Sequence, residues 1–64
     1  MYVNGRQVTI EKEMPLSGLL LKEGYDPMKV AVEKNGNIIP RKSFETETLS
    51  DSDKIEVVAF VGGG

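Results

Sequence analysis

The chain ends on Gly62-Gly63-Gly64, and a glycine run in that place suits one kind of chemistry. Without side chains the segment is thin enough to thread a narrow channel. It also adopts φ/ψ values closed to other residues. A carboxylate on Gly64 can be approached from any side, which suits a carboxylate that a second protein must activate. A free carboxylate resists nucleophilic attack, whereas an acyl-adenylate is a good electrophile. Sulfide or a persulfide can then convert it to a thiocarboxylate, a mobile sulfur nucleophile. A frayed end or the start of a linker has the same composition, and composition does not separate these readings.

The side chains offer little competing chemistry. There is no Cys and no His. The sequence therefore lacks a thiolate nucleophile and the usual zinc and iron–sulfur ligands. Ser17, Ser43, Ser50 and Ser52 have no imidazole to activate them. The carboxylates Glu45, Glu47, Asp51, Asp53 and Glu56 fall mostly in an irregular stretch and read as solvated surface rather than an acid–base pair. Asp51 and Asp53 lack the glycine and terminal glutamate of a calcium loop. The expectation is a protein that is not an enzyme, with no resident metal or cofactor.

The elements that must hold the tail fit into one domain. At 64 residues the core is small, and stability rests on apolar packing and backbone hydrogen bonds. Eight basic and ten acidic residues give a net charge of −2, which argues against nucleic acid as a partner. No basic start with a long apolar stretch opens the sequence, and no apolar run approaches a membrane span. A soluble cytoplasmic protein, monomeric when free, is expected.

Asn4-Gly5 is a strong hairpin signal, with strands expected near 1–4 and 6–11. Pro15 suits the first turn of a helix, and Leu16, Leu19 and Leu20 give it one buried face. Gly18 weakens that helix by about 1 kcal/mol relative to Ala. Gly24 fits its C-terminal cap, and Asp26-Pro27 a turn. A second hairpin pairs Val30–Glu33 with Ile38-Ile39 around Asn35-Gly36, and Pro40 ends it or confines it to an edge. Residues 41–53 read as irregular, anchored by Phe44 and Leu49. Lys54–Val61 is the clearest strand. Hairpin, helix, hairpin, loop and strand make an α+β fold of the ubiquitin-like β-grasp type. The expectation is a mixed sheet of four to five strands packed on one short helix. Residues 1–61 would form the domain and 62–64 a flexible tail.

With these residues in view, the sequence resembles the ThiS family of thiamine-biosynthesis sulfur carriers. The likeness opens at Tyr2-Val3-Asn4-Gly5. It continues through 30–36 and Ile38-Ile39-Pro40-Arg41, and is most specific from Leu49 to Gly64. The resemblance implies a cycle. A ThiF-like E1 enzyme adenylates Gly64 using ATP and magnesium. A cysteine desulfurase or other persulfide source supplies sulfur, and a ThiG-like thiazole synthase accepts it for the thiazole ring. Gly64 is then the modified residue, and Gly62 and Gly63 its stem.

Alternation along the last strand puts Ile55, Val57, Ala59 and Val61 on one face and Glu56, Val58 and Phe60 on the other. Glu56 should face solvent, leaving Val58 and Phe60 on the side away from the helix. Exposed apolar residues there mark a partner surface, so Val58, Phe60 and Ile39 are taken as the docking patch, with Glu45, Glu47 and Asp53 as a polar rim. A molybdopterin-type carrier and a β-grasp binding module such as that of some synthetases remain as alternatives. The ferredoxin version of the fold is excluded by the missing Cys.

Overall fold

The computed structural model describes residues 1–60. Both hairpins form where the Asn-Gly pairs stand. In the first, β1 (Tyr2–Val3) pairs antiparallel with β2 (Arg6–Gln7). Asn4 and Gly5 take φ of 52° and 80°, the double positive φ of a type I′ turn. The second strand is shorter than the expected 6–11. Val8 gives one more bond, to the Met1 carbonyl at 2.8 Å, and is buried. Ile10 packs half-buried on the core without joining the sheet.

Next come β3 (Met14–Pro15) and α1 (Leu16–Lys22). Pro15 is not the first helical residue but the one before it, with φ −70° and ψ 150°. No side chain caps this helix. Its free N–H groups at Leu16 and Ser17 instead donate at 2.8 Å to the carbonyls of Glu47 and Phe44, so the 44–47 loop is the cap. Leu16, Leu19 and Leu20 are fully buried. At the other end Gly24 sits at φ 85°. Gly24 N–H donates to Leu21 O, and Tyr25 N–H to Leu20 O, a Schellman closure.

A 3-10 turn at Pro27–Lys29 leads into β4 (Val30–Lys34), which pairs with β5 (Asn37–Ile39) across Asn35 and Gly36 at φ 52° and 85°. The stretch expected to be irregular holds a 3-10 turn, Arg41–Ser43, and a strand, β6 (Thr48–Leu49), paired antiparallel with β3. Phe44 and Leu49 are buried anchors, as expected. The last strand, β7, spans Lys54–Ala59.

The main sheet runs β2-β1-β7-β4-β5, with β1 and β7 parallel and the other pairs antiparallel. The mixed five-stranded sheet, with one helix packed on it, is the ubiquitin-like β-grasp. β7, the strand that leads to the tail, is its middle strand. Ile55 and Val57 meet α1 and the other core residues on the inner face. The proposed boundary between 61 and 62 lies outside the described residues.

Candidate functional site

Two asparagines hold β7 in register. The Asn4 carboxamide accepts from Val57 N–H at 2.7 Å and donates to Val57 O at 3.2 Å. Asn35 accepts from Lys54 N–H and donates to the Asp53 carboxylate, both at 2.9 Å. Each turn therefore needs a residue that tolerates positive φ and carries both a donor and an acceptor. Among the natural side chains Asn meets both demands best.

Asp53 is the only buried charged residue among those described. Burial pushes its carboxyl up. Ser50 N–H, the Asn35 amide and the nearby Lys34 ammonium outweigh burial and hold it below its ordinary value of 3.8. Lys34 donates at 2.9 Å to Glu47 and to the Thr48 carbonyl, with Asp53 at 3.9 Å. The Glu47 hydrogen bond is the main reason its ammonium is held above 10.5.

On the outer face of the sheet the register fixes the neighbours. Val58 lies opposite Ala31, Glu56 opposite Glu33, and Glu33 opposite Ile38. Val58 is 62% exposed, Phe60 52%, Ile38 77% and Tyr2 50%. The expected outward direction of Val58, Phe60 and Glu56 is what the strand adopts. Ile39 does not join them. It lies opposite buried Val32, faces the core and is half-buried there, so Ile38 takes the outer position assigned to Ile39. The two-residue Asn35-Gly36 turn already contained this answer. It sets Lys34 opposite Asn37 and so Glu33 opposite Ile38. Ala59, expected inward with Ile55 and Val57, is exposed at the end of the sheet.

The acidic rim also moves. Asp53 and Phe60 flank β7 at opposite ends, about 23 Å apart at 3.3 Å per residue. Asp53 and Glu47 are occupied with Lys34, and Glu45 borders a hollow on the helix side. The acidic residues on the outer face are Glu33 and Glu56, directly opposite one another.

At the tail end of the sheet, Phe60 N–H donates to the Lys29 carbonyl at 2.8 Å. Arg41 lies between two hollows there. One, of about 190 Å³, is lined by Val30, Ile38, Ile39, Pro40 and Phe60, among others. The other, of about 370 Å³, is lined by Leu21, Pro27, Met28 and Phe44, among others. No cluster of three or more potential ligands that could hold a metal ion occurs among the described residues. No helix there is long and apolar enough to cross a membrane. Gly62, Gly63 and Gly64, with Val61, lie outside the described residues.

A β-grasp domain with its middle strand directed to a glycine end, and an apolar patch beside that exit, defines a class of small carrier-like domains. The ThiS family model matches residues 1–64, and the chain belongs to the ThiS family. Sulfur carrier protein ThiS of Bacillus subtilis is 35% identical over 65 residues, covering 100% of this chain and 98% of that protein. The crystal structure of the thiamine biosynthesis protein ThiS from Geobacter metallireducens superposes with a TM-score of 0.80 at 32% identity. That match covers 98% of this chain and 96% of the other. A thiazole synthase of Paramagnetospirillum magneticum is 41% identical over 64 residues, and this chain spans 20% of its length. The same share holds for the thiazole synthase of Magnetococcus marinus.

Proposed function

We propose that this chain is a sulfur carrier for the thiazole moiety of thiamine, loaded on Gly64. The observation that carries the reading is the family match, which runs over residues 1–64 and so includes Gly62, Gly63 and Gly64. The absence of Cys from the sequence agrees with it, because sulfur must then ride on the backbone carboxylate.

In this reading a ThiF-like E1 enzyme brings ATP and magnesium. A Gly64 carboxylate oxygen attacks the α-phosphate, and pyrophosphate leaves. Hydrosulfide, or the outer sulfur of a cysteine desulfurase persulfide, attacks the acyl carbon. The C–S bond forms as the C–O bond to AMP breaks. In the persulfide route a second thiol then cleaves the resulting acyl disulfide, leaving as a disulfide with the desulfurase cysteine while the thiocarboxylate is released. The chain is substrate throughout and supplies no acid or base. A ThiG-like thiazole synthase then takes the sulfur. The two thiazole synthases that carry a similar segment within one longer chain support that pairing. The reactions are placed in the cytoplasm, with the free carrier a monomer.

The docking surface is the outer face at Val58 and Phe60, with Ile38 and Ala31 beside them and Glu33 and Glu56 as the acidic margin. The partner therefore presents an apolar hollow flanked by basic groups. Phe60→Asp should weaken binding to the activating enzyme by about 2 kcal/mol or more while leaving the circular dichroism unchanged. Unchanged affinity with an intact fold rejects this face.

The test of the whole reading is intact mass after incubation with the cognate activating enzyme, ATP and sulfide. The expected product has gained the mass difference of sulfur over oxygen, and the chain lacking Gly64 gains nothing. A wild-type chain that stays unmodified overturns the proposal.

A further inference from the structure

We infer that Arg41 is a positioning residue for the segment that carries the tail, acting through the backbone of residues 27–30. Its Nε donates to the Pro27 carbonyl at 3.0 Å and its Nη2 to the Val30 carbonyl at 3.2 Å. Between those two carbonyls in sequence lies that of Lys29, which accepts Phe60 N–H at 2.8 Å. This bond extends the sheet one step past Ala59–Val30, the final register pair of β7 with β4. The direction in which the chain leaves β7 is therefore set by where the Lys29 carbonyl sits. That carbonyl is flanked by the two that Arg41 pins.

The sheet itself does not supply this restraint. β5 ends at Ile39, opposite Val32, so no strand reaches Val30 on that side. Pro40 has no N–H to offer. The guanidinium stands where the next strand residue would have stood. Its planar fork serves two carbonyls at once, which the single ammonium of Lys cannot reproduce with the same geometry. Neither contact involves a carboxylate, so the arrangement is directed at backbone position rather than at neutralising charge.

The consequence for sulfur loading rests on the carrier reading, but the positioning does not. In the full chain, Arg41→Ala should speed hydrogen exchange of the Phe60 amide by about tenfold, since a charge-assisted pair of bonds that orders its acceptor is gone. The Val32 amide, inside the sheet, and the Val57 amide, held by the Asn4 side chain, should keep their wild-type protection. In the loading assay with the cognate activating enzyme, ATP and sulfide, kcat should fall by about tenfold with KM close to wild type, because docking is intact and the carboxylate is misplaced. Arg41→Lys keeps the charge and should restore neither quantity. Three results would overturn the inference. One is faster exchange at all three amides alike, with a matching loss of thermal stability. Another is unchanged Phe60 exchange with a raised KM, which makes Arg41 a surface contact. The third is full recovery in Arg41→Lys. If the wild-type chain is never loaded, the carrier reading fails, while the exchange data still decide the role of Arg41.

Discussion

Replacing Asn35 by Asp sets a carboxylate 2.9 Å from the buried carboxylate of Asp53 and removes the donor between them. Denaturant titration should show a loss of about 2 kcal/mol. At Asn4 the same change keeps the acceptor for Val57 N–H but loses the donation to Val57 O, so about 1 kcal/mol is expected. Asp53 also gives the fold a dependence on acid. Its folded pKa lies below 3.8, so its contribution is complete above that value and is lost as pH falls through the folded one. Asp51, held low chiefly by Ile10 N–H, acts in the same window. Asp53→Asn should therefore be clearly less stable than wild type near neutral pH, with the gap closing as the buffer is taken below pH 3.8. Parallel urea titrations at the two pH values measure it. Lys34 has the opposite sign. Raised above 10.5, it stabilises below that value, and its share is lost as pH rises through the folded one.

Elements carry the next set of consequences. Gly18 sits inside α1 with no positive φ, and a Cβ there would meet Met14 and Pro15 side chains at 3.5 and 3.6 Å, ordinary contact distances. Gly18→Ala should then stabilise the chain by about 0.5–1 kcal/mol. Gly24→Ala, at φ 85°, should destabilise it by about 1–2 kcal/mol, because the Schellman closure needs that conformation. Thermal melts of the pair should move in opposite directions. These glycines also show what could be read in advance. Gly24, the two Asn-Gly turns and the leucine stripe act through local geometry, so the sequence displays them. β3 and β6 were not legible. Two residues carry no periodicity, and Met14-Pro15 gains its strand form from Thr48-Leu49, far along the chain. The helix start was equally hidden, because its cap is made of the Glu47 and Phe44 carbonyls, which every residue possesses. The outer face was legible to within one residue. Ile38 and Ile39 look alike as types, and only counting back from the turn separates them.

At the scale of the whole molecule, the two faces of the sheet are used differently. The inner one is closed over the helix, with Leu16, Leu19, Leu20, Leu49 and Ile55 wholly buried. Leu49→Ala should cost about 2–5 kcal/mol for that reason, which in a domain this small threatens folding at physiological temperature. The outer face keeps Tyr2, Val58, Ile38 and Phe60 in water and sets Glu33 against Glu56. Like charges directly opposite weaken a sheet. Glu33→Thr should raise stability by a few tenths of a kcal/mol while slowing association with the proposed activating enzyme, a trade measurable by a melt and a stopped-flow trace.

The central place of β7 also has a meaning in time. A ribosome delivers this strand after the other described elements, yet both hairpins need it as their common neighbour. Until Ala59 has emerged, β1 has no parallel partner and β4 lacks one of its two neighbours, so the nascent chain holds two isolated hairpins. Assembly of the sheet must await β7. A chain broken off before residue 54 stays open to proteases, and any copy that reaches the native state has already made the strand that leads to its glycines. The topology thus makes β7 the last condition for closing the sheet, and with it for forming the outer face that carries Val58.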